Sequence, residues 1–149
     1  MYDDELLLQT TSEAPQKILL IDDDDDEAFL FGEALKDTGL TVNYKRIRNI
    51  EEIDTVPNPD IIFLDLSMPY KDGIETIPEI KSNEKLSAIP LIIYSTSKSK
   101  SSINATYEGG ATRYFVKAHD YDETVKKLKK ACSTHWDIKT VCDKDDFII

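Results

Sequence analysis

Ile61-Ile62-Phe63-Leu64-Asp65-Leu66-Ser67-Met68-Pro69 sets four apolar residues, three of them β-branched or aromatic, directly in front of an acid. A run this short and this continuously apolar predicts a strand covered on both faces, which happens where helices cross over a parallel sheet. Working outward, Ile18-Leu19-Leu20-Ile21 and Leu91-Ile92-Ile93-Tyr94 repeat the pattern, and the first of them also ends on acids, Asp22 and Asp23. Val42 to Ile47 instead interleaves Asn43, Lys45 and Arg46, which predicts an edge strand with one solvated side. Tyr114 to Val116 supplies a fifth strand.

The segments between these runs have helical period. From about Asp26 to Asp37, Ala28, Phe31 and Leu35 share one stripe that stops at Gly39. From about Tyr121 to Cys132, Tyr121, Val125, Leu128 and Cys132 recur behind a cap at Asp120, with Glu123 at the capping-box spacing. The helix that follows Asp72 and Gly73 meets Pro78 about one turn in, and the missing N–H and the ring predict a delayed or kinked start. Roughly Ser99 to Glu108 offers Ile103 and Tyr107 as its strong apolar anchors before Gly109-Gly110, so it is the least stable helix expected. Strand and helix in alternation predict an α/β fold, a doubly wound five-stranded parallel sheet. The organisation expected is a flexible acidic leader over residues 1–16, one domain over 17–132, and a tail over 133–149. The tail contains Trp136, Ile138, Val141 and Phe147-Ile148-Ile149 but shows no period, and the sequence assigns it no role.

Composition narrows the functions available. The 149 residues carry 29 acids and 18 bases, a formal charge of -11, a field that repels phosphate backbones and anionic lipid surfaces. Direct binding to nucleic acid or to a membrane is therefore not expected. Cys132 and Cys142 are too few and too close to the end for a disulfide framework. The first 15 residues hold no Lys or Arg and no apolar run longer than Leu6 to Leu8, so neither a signal peptide nor a membrane span is expected and the location expected is cytoplasmic.

In doubly wound folds, ligands bind at the carboxyl ends of the strands, where the winding reverses. The residues at those ends are Asp22 and Asp23, Asp65, Ser95 with Thr96, and Lys117. Three carboxylates close together repel one another unless protonated or neutralised. Magnesium, a hard cation that works beside phosphates and keeps several waters, suits a shallow cluster of Asp22, Asp23 and Asp65. A lysine facing that cluster is a point charge for phosphoryl oxygens, and the Ser95 hydroxyl is a donor to one of them. Phosphoryl transfer is mainly positioning and charge neutralisation, so a carboxylate nucleophile, a cation and a lysine suffice for it.

From about Lys17 to Cys132, the ordered motifs resemble the receiver domains of two-component response regulators. They are Ile-Leu-Leu-Ile-Asp22-Asp23-Asp24, Ile-Ile-Phe-Leu-Asp65-Leu-Ser-Met-Pro69 with Asp72-Gly73, Ile89-Pro90-Leu-Ile-Ile-Tyr-Ser95, and Gly-Ala-Thr-Arg-Tyr114-Phe-Val-Lys117. The resemblance implies a flavodoxin-like sheet of order 2-1-3-4-5. It implies that Asp65 accepts the phosphoryl group, that Asp23 is a direct metal ligand and Asp22 one through water, and that Ser67 is a ligand through its carbonyl. Ser95 and Lys117 would bind the phosphoryl group, and Tyr114 stands at the aromatic position that moves with the hydroxyl residue. Two departures stand out. Ala118 replaces the proline that usually follows the lysine through a cis bond, a form costly for other residues. Ser67 stands where larger residues are common, which leaves a backbone ligand intact and bears on how fast the phosphoryl group is lost.

The expected function is thus that of a stand-alone phosphoacceptor. A sensor histidine kinase or phosphotransfer protein donates to it, and it switches a contact with a downstream protein. It catalyses its own phosphorylation and dephosphorylation but does not turn over an external substrate as its main role. A homodimer through the face between the helices at 99–108 and 121–132 is left open. The alternative is a pseudo-receiver that binds partners without phosphorylation, against which the intact Asp22, Asp23, Asp65, Ser95 and Lys117 argue. A phosphohydrolase would need a second acid where Ser67 stands, and a flavin protein would need a Gly- or Ser/Thr-rich loop where Asp22 to Glu27 stand.

Overall fold

The computed structural model describes residues 16–67, 73–138 and 142–149. Residues 1–15, Met68, Pro69, Asp72 and Val141 lie outside these, and with them most of the expected leader. The strands are β1 (Gln16–Ile21), β2 (Val42–Ile47), β3 (Ile61–Asp65), β4 (Leu91–Ser95) and β5 (Arg113–Val116), all parallel, in the order β2-β1-β3-β4-β5. The helices are α1 (Asp25–Asp37), α2 (Gly73–Ser82), α3 (Lys100–Glu108), α4 (Tyr121–Ser133) and α5 (Lys144–Phe147), with a short 3-10 turn at Ile50–Thr55. This is the doubly wound order expected. Among the described residues β1 already includes Gln16, one residue before the expected start at Lys17, because Gln16 pairs with Val42.

Both faces of the sheet are buried, which is why its central strands read as unbroken apolar runs. Ile18, Leu20, Ile61, Phe63, Ile92 and Tyr94 point to one side, where Phe31 and Leu35 of α1 and Leu128 and Ala131 of α4 cover them. Leu19, Ile21, Ile62, Leu64, Leu91 and Ile93 point to the other, onto Ile77 and Ile80 of α2 and the partly buried Ile103 and Tyr107 of α3. At the centre of the first layer, Phe31 meets Phe63 at 5.1 Å and Tyr94 at 5.2 Å, both edge to face. Such pairs add about 0.5–1.5 kcal/mol each beyond the area they bury.

Helix ends follow local chemistry. Asp24 caps α1 by accepting from the Asp26 and Glu27 N–H groups, and Asp120 caps α4 by accepting from Asp122. Gly39 takes φ +78 just past α1, the left-handed turn that glycine allows without strain. Two expectations are corrected here. Pro78 does not delay α2, which starts at Gly73 and carries the proline in its interior on the solvent side. Tyr121 heads the apolar stripe of α4 in sequence but is exposed, its hydroxyl donating to Asp37 at 2.5 Å. α3 has the single fully buried residue Thr106, in keeping with its weak apolar stripe.

The tail is not a bystander. Residues 142–149 lie along the free edge of β5, with Phe147 buried beneath and Ile148 forming a parallel bridge to Tyr114. Among the described residues no helix is long and apolar enough to cross a membrane.

Candidate functional site

Parallel register sets the site. Ile21 lies level with Leu64, and Ser95 with Val116, so the next residues on β1 and β5, Asp22 and Lys117, rise beside Asp65. The ladder runs on past the strand ends through Asp22 N–H to Ile47 carbonyl at 3.1 Å and Lys117 N–H to Ser95 carbonyl at 2.8 Å. Lys117 reaches the site with its bond to Ala118 in the trans form.

Asp65 is 1% exposed, and the Lys117 ammonium donates to its carboxylate at 3.1 Å. The same ammonium also donates to Glu27 and sits 4.7 Å from the centre of the Tyr94 ring. Burial pushes the Asp65 carboxyl above its ordinary range, with Lys117 and the Ser67 backbone N–H pulling the other way. Burial pulls Lys117 down, but the Glu27 and Asp65 carboxylates outweigh it and hold the amine above its usual value. The lysine is therefore charged at neutral pH.

Asp22 is fully buried, and one of its oxygens accepts from the Asp24 N–H at 2.9 Å. The other, Oδ2, is buried with no hydrogen-bond partner. Removal from water is the main reason its carboxyl is pushed up to about 7. A buried oxygen without a donor costs roughly 1–3 kcal/mol and implies something that satisfies it. Oxygen atoms of Asp22, Glu27 and Asp65 lie within 4.8 Å of one another, so the donor set fits a hard divalent cation with oxygen ligands.

Of the four expected metal ligands, Asp22 and Asp65 stand in this group. Asp23 is half-buried beside it without contributing an oxygen to the three, and Ser67 is exposed just past β3. Ser95 is 2% exposed at the end of β4, its hydroxyl oxygen accepting the Ser97 N–H at 3.1 Å. Tyr114 is fully buried and its hydroxyl donates to the Ser97 carbonyl at 2.8 Å. The sequence presents Glu27 only as the end of the acidic stretch Asp22 to Glu27 and assigns it no role. The available signal was its place three residues after the cap Asp24, where a side chain folds back over the helix start. Nor does the sequence assign a role to Arg46 and Arg48, which both bind Asp25, at 2.8 and 2.6 Å, and hold the carbonyls of Asp22 and Asp23. These two arginines depress the Asp25 carboxyl and brace the acidic loop from the neighbouring strand.

Close behind the strand end that carries Asp65, a Cβ on Gly73 would stand 2.6 Å from the Asp65 carbonyl oxygen and 2.6 Å from the Leu66 Cα. Neither backbone atom can turn aside. Gly73→Ala is expected to push the start of α2 off β3 and to lower stability by about 1–3 kcal/mol, read as an earlier urea midpoint.

A doubly wound parallel sheet with a buried carboxylate, a charged lysine and a cluster of acids at its switch point places the chain, by class, among the α/β proteins whose ligand site lies at the carboxyl ends of the strands. The family model for the response regulator receiver domain matches residues 18–129, and the chain belongs to that family, as its motifs led one to expect. It is similar to response regulator Rcp1 of Synechocystis, 35% identical over 78 residues, which cover 52% of this chain and 53% of that one. It is also similar to the transcriptional regulatory protein KdpE of Staphylococcus aureus, 28% identical over 72% of this chain and 49% of that one. The chain thus spans about half the length of these curated relatives. Among solved structures, the phosphorylated cyanobacterial phytochrome response regulator RcpA matches with TM-score 0.70 at 29% identity, covering 79% of this chain and 91% of that one. The manganese-bound form of Rcp1 matches with TM-score 0.69 at 27% identity, covering 87% and 100%.

Proposed function

We propose that this protein is the phosphoacceptor of a two-component relay, taking a phosphoryl group from a histidine kinase or phosphotransfer protein onto Asp65 in a magnesium-dependent step. The observation that carries the reading is the Lys117 ammonium 3.1 Å from the buried Asp65 carboxylate, next to the unpartnered Asp22 oxygen. Asp22 and Asp65 would hold the magnesium ion, with Asp23 and the Ser67 carbonyl as the further ligands that membership of the family suggests. Bound there, the cation supplies positive charge that offsets the carboxylates and the phosphoryl oxygens.

The residues of the chain do the rest. An Asp65 carboxylate oxygen attacks phosphorus, a P–O bond forms, and the P–N bond to the donor imidazole breaks with its electron pair leaving on the ring nitrogen. Lys117, freed from Glu27, pairs with a phosphoryl oxygen, and the Ser95 hydroxyl donates to another. Water attack on the phosphorus of the acyl phosphate breaks its P–O bond to Asp65, releases inorganic phosphate and returns the Asp65 carboxylate. The new group adds a charge of about -1.5 to -2 and biases the arrangement of α3, β5 and α4, the switch running through Ser95 and Tyr114. A full change of state needs roughly 5.5 kcal/mol of differential stabilisation, and α3, with its single fully buried residue, offers little resistance.

The donor docks beside the site. Phe29 and Leu30 of α1 are 66% and 57% exposed, and a cleft of about 410 Å³ lined by Leu30, Tyr94, Lys117, Ala118 and Tyr121 opens next to them. A large apolar pair exposed at the rim of a charged site suits a helical partner that carries the phosphohistidine.

The test is intact-protein mass spectrometry after incubation with an acyl phosphate or phosphoramidate and magnesium. One phosphoryl adduct, lost on hydroxylamine treatment and absent when EDTA replaces magnesium, is the expected result. No adduct under saturating donor would overturn the reading.

A further inference from the structure

The edge of β5 is a peptide seat, and the chain fills it with its own residues 142–149. The attachment is narrow. Phe147 is fully buried while Lys144, Asp145, Asp146 and Ile148 are exposed. The Phe147 ring meets Tyr107 of α3 edge to face at 5.1 Å and Tyr114 of β5 at 6.1 Å. Around this plug, the Tyr107 hydroxyl donates to the Cys142 carbonyl at 2.6 Å and the Ile149 N–H donates to the Tyr114 carbonyl at 2.8 Å. One aromatic anchor, a main-chain bond, a tyrosine-to-carbonyl bond and a parallel bridge resemble the way an extended peptide adds to an exposed sheet edge. A segment held this sparsely opens at far lower cost than the sheet itself.

The seat is wired to the strand end that carries Ser95. Tyr114 accepts the Ile149 N–H through its backbone and packs on Phe147 through its ring, and its hydroxyl holds the Ser97 carbonyl at 2.8 Å. Ser97 in turn donates its N–H to the Ser95 hydroxyl oxygen at 3.1 Å. The Phe147 ring lies against a Tyr114 side chain that is itself fully buried. The docked segment therefore keeps Tyr114 inside and the loop at 95–97 drawn toward it.

We propose that residues 142–149 are an intramolecular ligand of the α3–β5 face, whose docking is coupled through Tyr114 and Ser97 to phosphoryl binding at Asp65. The proposal rests on the phosphoacceptor reading and adds a regulator to that site. Coupling between two sites is reciprocal, so phosphoryl binding tightens the segment, and the docked segment raises affinity for the phosphoryl group. While docked, it also occupies the strand edge that a second copy or a downstream protein would need to pair with β5.

The test uses the full chain, magnesium beryllofluoride as the phosphoryl mimic, and two variants. Phe147→Ala removes the plug, and Ile149→Pro removes the N–H donor while leaving Phe147 in place, so that one remains informative if the other unfolds. Calorimetric titration is expected to show beryllofluoride affinity reduced about fivefold or more in each, and hydrogen exchange at Ile149 in the wild type is expected to slow when beryllofluoride is added. Wild-type affinity in both folded variants, or an Ile149 amide that exchanges at the free-chain rate with the mimic bound, overturns the coupling and leaves the phosphoacceptor reading standing. A wild type that takes up neither beryllofluoride nor a phosphoryl group overturns both.

Discussion

Asp65→Asn is expected to accept no phosphoryl group from a small donor with magnesium, yet to fold with stability equal to or greater than that of the wild type when divalent cations are removed. The first half follows from the nucleophile. Asn presents an amide oxygen of nearly the same size and position but no anionic oxygen to form the acyl phosphate, and among the described residues no other buried carboxylate accepts a hydrogen bond from Lys117. Asp22 lies in the same oxygen cluster, but the protein contact given to its charge is the Asp24 backbone N–H rather than the lysine. The second half follows from electrostatics. Asp65 is buried, and desolvation holds its carboxyl above the ordinary range despite Lys117. A neutral side chain that still accepts from Lys117 and the Ser67 N–H removes that desolvation cost. Lys117 is not stranded, because Glu27 remains its partner. Mass spectrometry and urea titration in EDTA check the two halves, and labelling of the variant at the wild-type level would refute the assignment of Asp65.

The second large effect is on stability against pH. The Asp22 carboxyl is pushed up to about 7 in the folded chain from an ordinary value of 3.8, so between these values the folded protein keeps a proton that the unfolded chain has released. Unfolding then releases a proton, and raising the pH favours it. The stability contributed by protonated Asp22 is intact below about pH 4, declines through the interval and is gone above about pH 7. Three pKa units correspond to roughly 4 kcal/mol. Asp65 shifts in the same direction and adds to the slope. In EDTA, the wild type is expected to lose several kcal/mol between pH 4 and pH 8, and Asp22→Asn to lose much less and to be the more stable of the two at pH 8. Magnesium, which binds the folded state and favours ionised carboxylates, is expected to flatten the wild-type profile by mass action. Parallel pH profiles for the two proteins in EDTA would show that Asp22 is not desolvated as the geometry requires.

Much of the architecture could be read from short stretches because its causes are local. Ile18 to Ile21, Ile61 to Leu64 and Leu91 to Tyr94 announce strands covered on both faces, and the alternation over Val42 to Ile47 announces the edge that β2 forms. Asp120 and Gly39 mark helix ends through bonds and backbone angles that involve only neighbours. What escaped notice was either too short or too crowded with breakers. The 3-10 turn at Ile50–Thr55 precedes Pro57 and Pro59 and spans too few residues for a helical period. Pro78 pointed to a delayed or kinked α2, yet the helix runs from Gly73 to Ser82 with the proline inside it, Ile77 and Ile80 being buried against the sheet.

The identities of the strand-end residues, Asp22, Asp65, Ser95 and Lys117, belong to the sequence alone, because a parallel sheet aligns strand termini whatever the helices do. Two features were settled only in three dimensions. A Glu27 oxygen comes within 4.8 Å of those of Asp22 and Asp65, because where that side chain falls depends on how α1 is rotated about its own axis. Phe147 seats against Tyr107 and Tyr114, because an aperiodic tail finds its place by complementarity with a groove built from distant segments. In both cases the deciding distances run between residues remote along the chain, and no local pattern encodes them.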